Sequence, residues 1–341
     1  MPESQRITAA VVGAGAWGTA ISLYMDSIGI RVRLWAYEKQ TARDIDNGEN
    51  KIFLPGFTIP GSIGVTTDIS SAINNAAIIF FAVPVQHLRS VLETIPDSLD
   101  LTDRILVNLA KGIERGTALL PSEIIEDVFG NQIRVIALSG PSFADEVAQH
   151  KPTVLVASGD LYSAEIIQHL IASNRLRVYR SPDRLGVELS GAMKNVHALA
   201  AGISDGLDLG QNTRAALIVR GLAETSRFAE ALGADPRTIS GIAGLGDLVL
   251  TCTSTKSRNY RLGTMIASGK TAEEIFTEVP WIAEGVYTSH AALKMAEKNE
   301  IELPITQELS AVLLGEKTPV KAVNDLMNRP LKPEYGKTGL D

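Results

Sequence analysis

Gly13-Ala14-Gly15-Ala16-Trp17-Gly18 follows the apolar run Ile7–Val12 and leads into Thr19–Ser27, a stretch of helical character that stops before Gly29. The spacing is G-x-G-x-x-G between a strand and a helix, and each glycine meets a physical need. Gly13 permits a tight turn, Gly15 lets the backbone approach a pyrophosphate, and Gly18 lets the helix pack close to the strand. The helix start, from Ala16 onward, offers free N–H groups and the positive end of its dipole to phosphate oxygens. The stretch therefore reads as a dinucleotide-binding turn.

Short runs rich in Val, Ile, Leu and Phe recur downstream at Arg31–Ala36, Ala77–Val83, Arg104–Leu109, Arg134–Leu138, Thr153–Ala157 and Leu176–Tyr179. Helical segments such as His87–Glu93 and Ala164–Ile171 alternate with them, the pattern of βαβ units and a mostly parallel sheet. Past Ser181-Pro182 strand signals nearly vanish. Long helical patterns replace them at Asp183–Ile203, Thr213–Leu232, Thr271–Phe276, Thr288–Asn299 and Ile305–Leu314. The expected fold is α/β, with a Rossmann-like domain over 1–182, an all-helical domain over 183–328 and a frayed tail over 329–341.

Composition narrows the function classes. A formal charge of −7 disfavours a general nucleic-acid binder, and 45% hydrophobic with 21% charged residues is ordinary globular content. The single cysteine, Cys252, forms no intrachain disulfide and is expected as buried packing in a reducing compartment. Arg6 with Ile7–Ala16 faintly mimics a signal peptide, but Glu3 and the glycine pattern argue against it. The longest apolar run, Ala76–Val85, is far short of the roughly twenty residues a bilayer needs. The expectation is a soluble cytoplasmic protein. The five histidines show no ligand spacing, so no metal is expected.

Cofactor choice stays open at the end of the second strand. Glu38 suits the ribose of NAD, whereas Lys39 suits the extra phosphate of NADP. A second glycine cluster, Gly241–Asp247, lacks a preceding strand and reads as close packing or a substrate-facing turn.

Other polar groups fall where ligands gather. Lys111 and Ser139-Gly140-Pro141-Ser142 follow the fourth and fifth strands, at the carboxyl edge of the sheet where open α/β folds bind ligands. Ser142 with Asp145 also reads as a helix-capping pair, and both readings stand. Lys194 lies in an apolar, small-residue helix, where burial draws an ammonium pKa toward values useful for proton transfer. His197 on the same face reads as a core histidine. The run Thr251–Asn259, close after Asp247, supplies the guanidinium, hydroxyls and amide expected around a phosphate.

Taken in order, these motifs resemble those of the bacterial NAD(P)-dependent glycerol-3-phosphate dehydrogenases from about Ala9 to Met327. The resemblance runs through Gly13–Thr19, Asn50–Pro55, Val83-Pro84 with Arg89, Lys111–Glu114, Ser139–Ala144, Lys194–Val196, Gly241–Asp247, Ser257–Asn259 and Glu284-Gly285. It implies reversible reduction of dihydroxyacetone phosphate to sn-glycerol 3-phosphate with NADPH or NADH, supplying phospholipid backbones. Lys194 would be the acid–base residue and Lys111 would polarise the substrate oxygen. Gly140, Ser142, Asp247, Ser257, Arg258 and Asn259 would line the substrate, the last two gripping its phosphate. Trp17, Tyr37, Lys111, Ala144, Arg258, Ile282 and Glu284 would contact the dinucleotide. Val85 replaces the serine usual in the family, and Tyr37 stands where Arg or His is common. The alternatives are a dehydrogenase of another hydroxy acid or sugar phosphate, and a dinucleotide sensor without catalysis. Oligomeric state is left open, a homodimer being one option.

Overall fold

The computed structural model describes residues 7–279, 281, 283–331 and 333–334. The described residues form ten strands: β1 (Thr8–Val12), β2 (Arg31–Trp35), β3 (Glu49–Asn50), β4 (Leu54–Thr58), β5 (Gly64–Thr66), β6 (Ile78–Phe81), β7 (Ile105–Asn108), β8 (Arg134–Ser139), β9 (Thr153–Ser158) and β10 (Leu176–Ser181). Eight of them make one sheet in the order β10-β9-β8-β7-β6-β1-β2-β5. β6 and β7 are buried at every residue because helices cover both faces, which is why they read as unbroken apolar runs. Two apolar clusters fill the two faces, one around Ile21, Phe80 and Ile167, the other around Phe81, Leu88 and Leu106.

The sheet is mostly parallel, as expected, with one reversal. β9 pairs antiparallel with β8, while β10 runs parallel to β9. The three strands missing from the sequence reading are β3, β4 and β5. β5 has only three residues, none buried, and β3 only two, so neither carries an apolar signature.

Strand order changes direction between β1 and β6, the switch point where open α/β sheets bind ligands. The Gly13–Gly18 turn sits there. Gly13 has φ +113°, and a Cβ on it would lie 2.8 Å from the Ala82 carbonyl oxygen just past β6.

Beyond β10 the chain is helical. The 23-residue helix Arg184–Gly206 is capped by Asp183, whose carboxylate accepts from the Gly186 N–H at 2.9 Å. It is buried along most of its length by the helices Gly210–Ala231, Asp247–Cys252, Arg258–Ala267 and Glu284–Lys298. Close approach to Arg258–Ala267 depends on Gly202 and Gly263, where an added Cβ would come within 2.0 Å and 2.1 Å of opposing backbone oxygens. The helical half has its own core, joined by Ile113 and Leu120 from the loop after β7. The described helices do not include one long and apolar enough to cross a membrane. Part of the tail expected to fray, residues 332 and 335–341, lies outside the described residues.

Candidate active site

The phosphate turn has the open face that a pyrophosphate requires. A Cβ on Gly18 would strike the Gly13 carbonyl oxygen at 1.9 Å, whereas one on Gly15 would meet nothing within 4 Å. Gly15 is also the N-cap of the helix Ala16–Ser27 and carries no side-chain cap, so the first-turn amides are left for an anion. The turn is braced from below by Asn50, a buried residue of β3. Its Nδ2 donates to the Ala14 carbonyl at 2.9 Å and to Thr19 Oγ1 at 2.8 Å. Asn50 was visible only as part of a family segment. Its role arises because the β3–β4 hairpin folds under the glycine turn.

Tyr37 stands just past β2, 75% exposed, its ring edge-on to Trp35 at 6.0 Å. Glu38 and Lys39 beside it are exposed as well, so the surface just past β2 carries both charge signs.

Across the crevice, Lys111 and Lys194 converge on one carboxylate. Lys111 Nζ donates to Asp247 Oδ2 at 2.6 Å and to the Gly140 carbonyl at 2.9 Å. Lys194 Nζ donates to Asp247 Oδ1 at 2.7 Å and to Thr251 Oγ1 at 3.1 Å. Asp247 is 1% exposed and opens the helix Asp247–Cys252, after a π-helical turn at Ile242–Gly246 formed by the second glycine cluster. Burial pushes the Asp247 carboxyl up, but the two ammonium groups outweigh it and leave the carboxyl below its ordinary range. Burial is also the largest influence on Lys194, and the Lys111 charge adds to it. Asp247 opposes both, and the balance is a pKa of about 8.

Ser142 joins this cluster in a way the capping reading did not anticipate. Phe143, not Ser142, is the N-cap of Ala144–Ala148, and the Ser142 hydroxyl donates to the Gly140 carbonyl at 3.0 Å. Asp145 instead pairs with Lys256 at 2.7 Å, and Glu146 does so at 2.9 Å. These ion pairs hold the Thr251–Asn259 run against the sheet half beside Ala144.

Within that run, Ser257 caps Arg258–Ala267, its hydroxyl accepting from the Tyr260 N–H at 3.2 Å. Asn259 is buried and largely engaged. Its Nδ2 donates to Asn195 Oδ1 at 3.0 Å, and its Oδ1 accepts from Gly285 N at 2.9 Å, leaving one amide hydrogen. Arg258, at the first helical position between them, is exposed and makes no ion pair among the described residues. Its guanidinium is therefore available to an anion, while its neighbours lock the backbone that presents it.

Glu284 opens the helix Glu284–Lys298. Its Oε1 accepts from Val85 N at 3.1 Å, and its Oε2, like Thr288 Oγ1, is a buried atom without a partner among the described residues. Burial raises its carboxyl to about 7. Unpaired polar atoms next to Gly112 and an open glycine turn fit a polar group seated between the two halves. Ile282, also expected at the dinucleotide, lies outside the described residues.

His197 is a core residue, as expected. It is fully buried, bonded through Nε2 to Thr225 Oγ1 at 3.0 Å, and burial lowers it to about 4. Cys252 is buried and its thiol is pushed up to about 12, which leaves it inert. Among the described residues no three His, Cys, Asp or Glu side chains gather as metal ligands.

A phosphate-cradling turn on a mostly parallel sheet, beside two half-buried lysines that come one from each half and share a buried carboxylate, defines a two-part dehydrogenase of the nicotinamide class. Comparison with known proteins narrows it. Residues 8–164 match the model of the NAD-dependent glycerol-3-phosphate dehydrogenase N-terminus, and residues 183–324 match that of its C-terminus. The chain is 43% identical over 330 residues to the glycerol-3-phosphate dehydrogenase of Chlorobium phaeobacteroides, covering 96% of this chain and 98% of that one. It is 43% identical over 326 residues to the enzyme of that name from Thermoanaerobacter, with coverage of 95% and 98%. A crystal structure of glycerol-3-phosphate dehydrogenase from Coxiella burnetii superposes with a TM-score of 0.89 at 34% identity, over 95% of this chain and 99% of that one. The chain belongs to the NAD-dependent glycerol-3-phosphate dehydrogenase family.

Proposed function

We propose that the protein catalyses the reversible NAD(P)-dependent reduction of dihydroxyacetone phosphate to sn-glycerol 3-phosphate, supplying glycerophospholipid backbones. The observation that carries this reading is Asp247 holding the Lys111 and Lys194 ammonium groups together at the switch-point crevice. Gly13, Gly15, Ala16, Trp17 and Gly18 would hold the pyrophosphate, with Tyr37, Lys111, Ala144, Arg258, Ile282 and Glu284 along the rest of the dinucleotide. That cofactor, when bound, supplies the hydride.

The chain's own residues supply everything else. Reduction builds negative charge on the C2 oxygen, and two ammonium groups sharing one carboxylate leave a net positive pocket to stabilise it. Lys194 gives that oxygen a proton and is recharged from solvent, a role supported by its pKa of about 8. Lys111, steadied by the Gly140 carbonyl, polarises the same oxygen. Arg258 and the remaining Asn259 amide hydrogen take the phosphate, with Ser142 and Ser257 lining the approach. The phosphate lies away from the reacting carbon, so binding it supplies energy for orientation.

The division into 1–182, 183–328 and a tail at 329–341 belongs to this reading. It is supported by a sheet that ends at Ser181 and a helix that begins at Arg184. A cytoplasmic location and assembly as a homodimer are carried with it. Light scattering at twice 36.5 kDa, rather than 36.5 kDa, would support the dimer.

The experiment is spectrophotometric. Purified protein given dihydroxyacetone phosphate oxidises NADPH, NADH or both, and running both nucleotides settles the preference left open by Glu38 and Lys39. Folded protein that oxidises neither overturns the proposal. Lys194→Ala should lose most of kcat while still binding dinucleotide, and wild-type turnover in that variant would remove Lys194 from proton transfer.

A further inference from the structure

Glu188 lies on the Arg184–Gly206 helix, 5% exposed, and the chemistry above does not use it. Its carboxylate reaches back into the sheet half. Oε1 accepts from the Asn108 side-chain amide at 2.8 Å and from the Ser122 N–H at 3.0 Å, and Oε2 bonds the Ser122 hydroxyl. Asn108 ends β7, and its side chain closes around the next turn. Its Oδ1 accepts from Ala110 N at 2.8 Å and its Nδ2 donates to the Ala110 carbonyl at 3.1 Å. The residue after Ala110 is Lys111.

We propose that Glu188 is a positioning residue for the reaction: through Asn108 it ties the loop that presents Lys111 to the helix that carries Lys194. The two ammonium groups come from different halves of the molecule, and Asp247 can bridge both only if their backbones keep a set separation. The Asn108–Glu188 bond spans those halves at the base of the site. Both ends are buried and each is held by further hydrogen bonds, Asn108 to Ala110 and Glu188 to Ser122, so the link is stiff. The proposal rests on the function assigned above.

The link holds in either protonation state of Glu188. Burial raises this carboxyl to about 7, and the residue lines a cavity of about 410 Å³ together with Ser122. Ionised, it accepts from the Ser122 hydroxyl; protonated, it donates to that oxygen, and Oε1 keeps Asn108 in both cases. The charged groups around it are Arg184 on its own helix, paired with Glu126 at 2.7 Å, and Glu123 on the Pro121–Phe129 helix. Asp160 and Asp183 line the cavity.

The test uses Glu188→Gln, Glu188→Ala, Asn108→Asp and the double variant N108D/E188Q in the full chain. Glutamine reproduces the protonated carboxyl, so Glu188→Gln should stay within about threefold of wild type. Glu188→Ala should lose kcat by roughly 30-fold with the dinucleotide KM within twofold, since small misplacements of a reacting group cost up to about 10²-fold. Asn108→Asp sets two carboxyls against each other that must share a proton. It should keep activity at pH 6 and lose it at least tenfold by pH 8 relative to wild type, and N108D/E188Q should remove that added pH dependence.

A folded Glu188→Ala enzyme with kcat within twofold of wild type, or an Asn108→Asp pH profile superimposable on wild type, overturns the proposal. If Glu188→Ala does not fold, the Asn108→Asp profile decides. If the wild-type protein does not turn over dihydroxyacetone phosphate, hydrogen exchange of segment 108–113 decides instead. Faster exchange in Glu188→Ala with wild-type exchange in Glu188→Gln supports the link, and unchanged exchange in both overturns it.

Discussion

Replacing Asp247 by asparagine removes the one charge that the two lysines share while conserving shape. Asp247 Oδ1 lies 2.7 Å from Lys194 Nζ, and at an effective dielectric of about 20 Coulomb's law gives roughly 6 kcal/mol for such a pair. Breaking buried ion pairs costs less in practice, about 3–5 kcal/mol. Taking the lower figure, and about 1.4 kcal/mol per tenfold change in protonation, Lys194 should move from about 8 to about 6. At pH 7.5 its protonated fraction then drops from roughly three quarters to about 3%, a fall of about 25-fold in the form able to donate a proton.

The sign follows directly. Ketone reduction needs the protonated amine, so kcat/KM for dihydroxyacetone phosphate should decline as pH rises through about 8 in the wild type and through about 6 in Asp247→Asn. The assay is kcat/KM from pH 5.5 to 9.5 at saturating dinucleotide, with ¹⁵N titration of the lysine amines alongside. Superimposable profiles for the two proteins would refute the assignment of Lys194 as the acid and Asp247 as its counter-ion.

Four further outcomes are expected. Gly15→Ala should fold normally and raise the dinucleotide KM at least tenfold, because its methyl enters open space at the phosphate turn. Gly18→Ala should instead lower the thermal midpoint, its methyl meeting the Gly13 oxygen at 1.9 Å; equal midpoints for the two variants would contradict the turn geometry. Arg258→Ala should raise the KM for dihydroxyacetone phosphate by roughly 100-fold, and at saturating dinucleotide the slow reduction of unphosphorylated dihydroxyacetone should fall far less, as measured by initial rates. Finally, burial lifts Glu284 from 4.5 to about 7, so the folded state holds a proton that the unfolded chain releases first. Stability should fall by about 3 kcal/mol as pH rises from about 4.5 to about 7. Glu284→Gln should flatten that part of a urea-midpoint profile, and an unaltered slope would show that Glu284 is not the group responsible.

Much of the architecture was legible in the chain because its signals are local. β1, the Gly13–Gly18 turn and the following helix lie within twenty residues, and the buried strands β6 and β7 announce themselves by unbroken apolar content. The reversal at β9 was not legible, because a short apolar strand looks the same in either direction. The small strands β3 and β5 escaped for want of buried apolar residues, and with β3 went Asn50. Glu188 illustrates a signal that was present and unused. It sits between Val187 and Leu189 in the same apolar helix whose burial drew attention to Lys194, and the same reasoning about buried charge applies to it.

By itself the sequence determined the dinucleotide turn, the change from sheet to helix near residue 182, and the set of polar residues from which a site is made. Those follow from spacing and from the free energy of burying apolar side chains, which act over a few residues at a time. Only the tertiary structure decided that Asp247 is the meeting point of Lys111 and Lys194. These residues lie 136 and 53 positions from it along the chain, and nothing in their neighbourhoods encodes the pairing. A buried charge must find its counter-charge wherever packing of the whole chain delivers one, so the shared carboxylate is a property of the fold and not of any segment.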